Sequence, residues 1–168
     1  MCTSAVFDDS VITGYDTNYK VKPPFRSSTD RDALIKGVAD GTIDAIVSDH
    51  SPQDLESRMV EFDFAAFGIA GIETAFAVAN TACSNLSLER LIDAFALAPR
   101  RILGLQYAGI TEGAKADLTI FHPESDWNPS ASEMKSKAGN NPFFGTSLKG
   151  KVIGIVADRK STRLNSSH

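Results

Sequence analysis

From Ser27 to Asp40 the chain reads SSTDRDALIKGVAD, with cap-forming Ser and Thr at its start and acids in the first turn. Ala33, Leu34 and Val38 are spaced to share one face, and the whole pattern predicts a helix. Gly41 ends it, and Ile43 to Val47 follows as a short run rich in β-branched residues, which predicts a buried strand. A helix, a tight turn and a short buried strand make half of a βαβ unit. Gly71 to Cys83 is a second predicted helix, with Ile72, Ala75, Phe76 and Ala79 at three- and four-residue spacing. Ser87 caps a third, Leu88 to Phe95, carrying Leu88, Leu91, Ile92 and Phe95. Pro99 then starts or breaks a short segment through Leu103, and Gly104 closes it.

After Gly104 the pattern changes. ADLTIFHP (Ala116 to Pro123) and GKVIGIVAD (Gly150 to Asp158) are β-rich, while Pro129, Gly139, Pro142 and Gly145 make the segment between them irregular. Residues 1–108 therefore read as an α/β part and residues 109–160 as a small β module. Ala5-Val6-Phe7 reads as a piece of apolar strand without a preceding turn. Residues 161–168, STRLNSSH, are polar and without periodicity, which predicts an unstructured tail. The tail also resembles a translated cloning adapter, which places His168 outside the fold and the site.

Composition narrows the classes that fit. With 168 residues, 42% hydrophobic and 23% charged, the chain has the make-up of a soluble globular domain. A formal net charge of -4 gives no basic stripe, which argues against a nucleic-acid partner. No apolar run approaches the roughly 20 residues of a membrane helix, and the N-terminus lacks a signal pattern, so a cytoplasmic location is expected. Cys2 and Cys83 have no metal-type spacing and suggest neither a disulfide framework nor a thiolate zinc site. Cys83, within an apolar helical pattern, reads as a small buried residue rather than a nucleophile.

In parallel α/β architectures ligands sit at the carboxyl ends of strands, which is where Asp49 and His50 follow the Ile43 to Val47 run. A carboxylate there can bind a cation and take a proton from a metal-bound water. It can equally serve as a strand-end acceptor for backbone N–H groups, with His50 packed nearby. Gly68 and Gly71 would let backbone approach a ligand closely, although glycines before a helix need no ligand. KPPF, Lys22 to Phe25, is fixed by two prolines and leaves Lys22 either facing an anion or solvated. His122 reads as a surface or turn histidine, and Glu61 and Asp63 as a solvated face.

Taken in order, YDTNYKVKPPFR, DGTIDAIVSDHSPQD, FDFAAFGIAGIETAF, APRRILGL, EGAKADLTIFHP and NPFFGTSLKGKV resemble the C-terminal half of a dihydroorotase, in the amidohydrolase superfamily. The resemblance runs from about Tyr15 to Asp158. It implies an α/β fold: the C-terminal portion of a (β/α)8 TIM-type barrel over residues 1–108, followed by strands of a small flanking β domain. It also implies zinc-dependent, reversible hydrolysis of the cyclic amide of dihydroorotate to N-carbamoyl-L-aspartate in pyrimidine biosynthesis.

By the same resemblance Asp49 matches an aspartate that ligates zinc and acts as general base. Phe67 and Gly68 match a pair whose backbone contacts the substrate ring. Lys22 stands where the family pattern NPPLR has a substrate-binding asparagine, and Gln53 where DHAPH has a second, substrate-binding histidine. Lys22 can pair with a carboxylate as a point charge and Gln53 can hydrogen-bond, but neither reproduces the original geometry. The family's other zinc ligands, a His-x-His pair, further histidines and in many cases a carboxylated lysine, have no match in this chain. The resemblance therefore implies a segment that is inactive alone, from an enzyme that is a homo-oligomer. Its alternative is a non-catalytic dihydroorotase-like partner of aspartate carbamoyltransferase. A hydantoinase or allantoinase relative is disfavoured because NPFFGTSLKGKV and KPPFR occur together.

Overall fold

A reciprocal capping box opens the first helix. The Ser27 hydroxyl accepts from the Asp30 N–H at 3.3 Å, and the Asp30 carboxylate accepts from the Ser27 N–H at 3.2 Å. Two N–H groups that a helix leaves unpaired are thereby satisfied. This helix, α1, spans Ser28–Asp40 and stops at Gly41, whose φ of 83° lies in the left-handed region that glycine enters without strain. The structure, a computed structural model, describes residues 2–106, 109–157 and 160–163.

The inner stripe of α1 differs from the expected one. Val38 is buried and Ile35 half-buried, whereas Ala33 and Leu34 face outward. Ile35 and Val38 meet Cys2, Ile46, Ala79 and Cys83 around a small internal space, while Arg31, on the same stripe, pairs with Asp8 at 2.8 Å. The neighbours available on that side, rather than the apolar spacing alone, decide which face turns in.

The run from Ile43 to Val47 forms no regular strand, which corrects the expected buried strand. Val47 is 56% exposed. The run's backbone bonds are scattered: Ile43 N–H to Gly37 O at 2.8 Å, Ile46 N–H to Ala94 O at 3.0 Å, and Cys2 N–H to Val47 O at 2.9 Å. A strand exists by pairing along its length, and among the described residues no segment runs beside this one. Ala5 to Phe7 is likewise not a strand, because Cys2–Ala5 closes a 3-10 turn. That turn aims the Phe7 ring at Tyr19, Phe25 and Phe143, with centroids 5.0, 5.6 and 5.0 Å away.

The second helix, α2, spans Ala75–Ala82, later than the predicted start at Gly71. The buried Thr74 hydroxyl donates back to Gly71 O at 3.3 Å and the Thr74 N–H to the same oxygen at 3.2 Å, so a turn occupies Gly71 to Thr74. Helix α3, Leu88–Ile92, is capped by Ser87, whose hydroxyl accepts from Arg90 N–H at 3.2 Å. One π-helical turn, Asp93–Leu97, joins it to α4, Ala98–Ile102. The two predicted segments are thus one continuous path. Pro99 has no N–H to give, and a widened turn before it accommodates that loss.

The two β-rich segments form strands, and they pair with each other. Strand β1, Asp117–Trp127, runs antiparallel to β2, Leu148–Ala157, from the Asp117/Ala157 pair to the Trp127/Leu148 pair. The register slips between Ile120 and Phe121 and again between His122 and Asp126. At the second slip the Asn80 amide of α2 donates to Pro123 O at 2.9 Å and Lys149 O at 3.1 Å, tying helix to sheet. A third strand, β3, Lys160–Arg163, pairs antiparallel with β2. The tail expected to be unstructured from Ser161 is therefore paired as far as Arg163; residues 164–168, His168 included, lie outside the described residues, as does the expected boundary at Ala108. Backbone pairing asks little of side-chain pattern, and this explains why polar composition misjudged it.

The core lies where α2 crosses between the helical N-terminal part, which has no regular strand among its described residues, and the sheet. Ala75 and Ala79 pack with Cys2 and Leu91 on one side, and Ala77 and Val78 with Phe143 and Leu148 on the other. Val21, Phe25 and Ile69 form a third cluster, which Phe7 links to the second. Phe7 thus stands between Phe143 and the cluster of Ile69, the residue that pairs with the loop carrying Asp49 and His50.

Candidate functional site

Asp49 adopts φ 51°, a left-handed conformation unusual for a residue with a side chain, and its carboxylate is exposed. The backbone reverses there and brings the next residues against a second loop. His50 and Ile69 form an isolated parallel bridge, with Ser51 N–H donating to Ile69 O at 2.8 Å. The Ile72 N–H donates to His50 Nδ1 at 3.3 Å. That nitrogen is therefore an acceptor. Neighbours on both sides hold the reversal at Asp49: Val47 O accepts from Cys2 N–H at 2.9 Å, and Ser51 N–H donates to Ile69 O.

Gly68 is the tightest point of the corner. Its φ is 126°, and a Cβ placed on it would lie 2.4 Å from the Ser51 Cβ and 2.8 Å from the Ser51 carbonyl oxygen. Only a residue without a side chain fits both the dihedral and the space. Gly68 O accepts from Arg58 Nη1 and from Asn140 Nδ2, each at 3.1 Å, while Gly68 N–H donates to Lys20 O at 2.9 Å. Phe67 O accepts from Gln53 Nε2 at 2.9 Å. Two expected substrate contacts, Gln53 and the Phe67 carbonyl, are thus bonded to each other, and Gln53 Oε1 has no hydrogen-bond partner among the described residues.

Three residues that sequence reasoning missed hold this arrangement. Asn140, 4% exposed, donates to Ser51 O at 3.0 Å as well as to Gly68 O, and its Oδ1 accepts the Gln53 N–H at 3.2 Å. One buried amide therefore pins three loops. Arg58, 6% exposed, donates to the carbonyls of Thr17, Ala66 and Gly68, and burial pushes its pKa down. Lys20, 8% exposed, donates to Phe62 O at 2.6 Å and Asp63 O at 2.9 Å, with its ammonium 4.6 Å from the centre of the Phe67 ring. These two buried cations have backbone carbonyls and rings as partners instead of carboxylates. A sequence signal existed for Asn140: an Asn-Asn pair between Gly139 and the core residue Phe143 is a polar turn forced inward.

The other expected site residues are less tightly placed. Lys22 is exposed, two residues from the Lys20 carbonyl that holds Gly68, and makes no hydrogen bond or ion pair with the described residues. A cleft of about 900 Å³ opens beside the corner, lined by Thr17, Gln53, Leu55, Arg58 and Asn140 among others. Gln53 is the one expected site residue on its wall. His122 is exposed within β1, opposite Lys151. Among the described residues no group of three or more His, Cys, Asp or Glu side chains could hold a metal ion. Asp49 offers one carboxylate, so a zinc centre does not fit on these residues by themselves. No described helix is long and apolar enough to cross a membrane.

Residues 9–160 match the amidohydrolase family. The chain is 43% identical over 147 residues to a dihydroorotase of Syntrophus aciditrophicus, covering 86% of this chain and 34% of that one. To a dihydroorotase of Caldanaerobacter subterraneus it is 43% identical over 153 residues, covering 89% of this chain and 35% of that protein. It thus spans about a third of the length of the curated relatives it matches. Among solved structures it is similar to the L-hydantoinase of Arthrobacter aurescens, with a TM-score of 0.85 and 26% identity over 95% of this chain and 37% of that one. A D-hydantoinase from Thermus sp. gives a TM-score of 0.80 at 23% identity, over 94% of this chain and 37% of that one.

Proposed function

The chain belongs to the amidohydrolase family, and on that premise we propose that it is the segment of a dihydroorotase that supplies Asp49 and the Phe67-Gly68 loop to the active site. The reaction is the reversible hydrolysis of dihydroorotate to N-carbamoyl-L-aspartate, in pyrimidine biosynthesis. The observation that carries this reading is the corner in which the bridge between His50 and Ile69 brings Asp49 beside Phe67-Gly68. The choice of dihydroorotase over hydantoinase rests on identity: 43% to the dihydroorotases named above against 26% and 23% to the hydantoinases.

Asp49 is the group placed to take a proton from an attacking water, since its carboxylate is exposed on a reversed backbone. Gln53 offers its free Oε1 to a substrate N–H, and Lys22 a point charge to a substrate carboxylate. Zinc is the cofactor general to this family; this chain brings one ligand, Asp49, and we assign the rest of the zinc centre to the part of a last-strands-of-barrel fold that it does not span. The segment alone is accordingly inactive. A role as a non-catalytic partner of aspartate carbamoyltransferase has no observation in its favour.

The test is dihydroorotate hydrolysis by the protein that carries this segment with the remainder of the fold. Asp49→Asn should lower kcat by about 10²- to 10⁴-fold while leaving the melting temperature unchanged. Equal turnover by parent and variant, or turnover of hydantoins in place of dihydroorotate, would overturn the reading.

A further inference from the structure

Both poles of the Phe67-Gly68 peptide are bonded within the chain. Its carbonyl accepts from Gln53 Nε2 at 2.9 Å, and its N–H donates to Lys20 O at 2.9 Å. The carbonyls on either side are held too, Ala66 O by Arg58 Nη1 at 2.8 Å and Gly68 O by Arg58 Nη1 and Asn140 Nδ2, each at 3.1 Å. The acceptor that this peptide would offer a ligand is therefore engaged, and the group that engages it carries an acceptor of its own.

The amide of Gln53 has one favoured orientation. The Phe67 carbonyl can only accept, so the end of the amide that faces it is the NH2 group. The same Nε2 reaches Ser51 Oγ at 3.5 Å. Oε1 is the end left for a ligand, and Gln53 lines the cleft beside the corner. Turning the amide over would lose the bond and set Oε1 against Phe67 O, so the acceptor end stays outward. An acceptor held in this way takes an N–H or O–H group and repels a carboxylate oxygen, which has only lone pairs to offer.

Asn140 keeps Gln53 in register with Phe67. Its Oδ1 accepts the Gln53 N–H at 3.2 Å while its Nδ2 donates to Gly68 O, so one buried side chain fixes both loops that the bond between Gln53 and Phe67 spans. Asn140 is anchored from behind. Its carbonyl accepts from Ala70 N–H at 2.9 Å, and the Asn141 amide donates to Ala70 O at 3.1 Å and to Thr74 Oγ1 at 3.2 Å. The Glu73 carboxylate secures the same loop by accepting from the N–H groups of Lys135 and Ser136, each at 2.9 Å.

We propose that Gln53 replaces the Phe67 carbonyl as the acceptor that reads a ring N–H of the substrate, and that Asn140 is the positioning residue that fixes this polarity. The site then selects a ring that keeps that N–H and refuses one in which it is methylated. The proposal rests on the dihydroorotase reading for the identity of the ring, and on the hydrogen bonds alone for the polarity of Gln53.

The first test compares KM for dihydroorotate and its two ring N-methyl derivatives, in the protein that carries this segment with the remainder of the fold. One of the two methyl groups should raise KM by at least about tenfold in the parent and by less than about twofold in Gln53→Ala. Asn140→Ala should raise KM for dihydroorotate by about tenfold with kcat within about threefold, and should shrink the same methyl penalty although Gln53 is intact. A merely structural role for Asn140 would change the folded fraction and leave that ratio alone. No methyl penalty in the parent, or one that survives in either variant, overturns the proposal. If the parent turns over hydantoins and not dihydroorotate, the dihydroorotase reading falls, and the same ratio on hydantoin and its N-methyl derivatives decides the polarity of Gln53.

A second test needs no substrate and no variant that must fold. Gln53 and Gln106 are the only glutamines of the 168-residue chain, so isotope-labelled glutamine reports on these two side chains alone. The NH2 group of Gln53 should exchange at least about threefold more slowly than that of the exposed Gln106. Equal exchange would overturn the proposal whatever the kinetics.

Discussion

Replacing Gly68 by alanine puts a Cβ 2.4 Å from the Ser51 Cβ and 2.8 Å from the Ser51 carbonyl oxygen, on a backbone at φ 126°. Two costs combine. The dihedral is strained for any L side chain, which is worth about 1–3 kcal/mol. The contact adds an overpacking cost of about 1–3 kcal/mol, since the nearest atoms include backbone that two hydrogen bonds to Asn140 hold in place. A loss near 3 kcal/mol is expected, which for a chain of this size lowers the melting temperature by about 2–4 °C per kcal/mol. Thermal and urea unfolding followed by circular dichroism would measure it. Adding Ser51→Gly to the same background removes the Cβ and Oγ contacts but keeps the dihedral and the carbonyl contact, so about half of the loss should return. If Gly68→Ala unfolds within about 0.5 kcal/mol of the parent, the corner is looser than its geometry states and the reasoning fails.

Asn140→Asp keeps the acceptor for Gln53 N–H but removes both amide donations, to Ser51 O and Gly68 O, and buries a charge; urea unfolding should show a loss of about 2–3 kcal/mol. Burial raises the Cys2 thiol to about 11 and pushes the Cys83 thiol up as well. Neither should react with iodoacetamide at neutral pH until urea unfolds the chain, and rapid alkylation of the native protein would contradict the burial. The Arg101 guanidinium, bonded to Asp93 at 2.8 Å and 3.1 Å, holds the Asp93 carboxyl below its usual range, with Arg90 adding to the effect. A depressed pKa means that the stability Asp93 contributes is present above the unfolded carboxylate value of about 3.9 and is lost as pH falls through the folded one. The stability difference between the parent and Asp93→Asn should therefore shrink as an unfolding series moves from about pH 5 to about pH 2.

Local chemistry was legible wherever the deciding partner sits within one turn. Ser27 and Asp30 cap α1, Gly41 ends it, Ser87 caps α3, and the β-rich runs around Ile120 and Ile153 mark the paired strands. The run Ile43 to Val47 misled because β-branched residues report fitness for a sheet, not the presence of a neighbouring strand. The start of α2 misled because a buried hydroxyl at Thr74 competes with the helical pattern. Of the proposed site residues, Asp49 was singled out by its place after an apolar run and Gly68 by its residue type. Arg58 and Asn140 were not, since each is recognised by the distant carbonyls it satisfies. Nor did the residue types of Gln53 and Phe67 reveal that they would bond to each other.

The amide of Asn140 joins Gln53 and Ser51 across 87 and 89 residues of chain. Hydrogen bonds of that sequence span carry a large loop-closure entropy and form late in folding. As the polypeptide leaves the ribosome, Asp49 and Gly68 emerge long before the residue that locks them together. Until Gly139 to Asn141 are made and return, the loop from Asp49 to Gln53 is held by its nearer partners, Phe67, Ile69 and Ile72. A nascent chain stalled before Asn140 would therefore display the bridge between His50 and Ile69 without the buried amide that ties Ser51, Gln53 and Gly68 together.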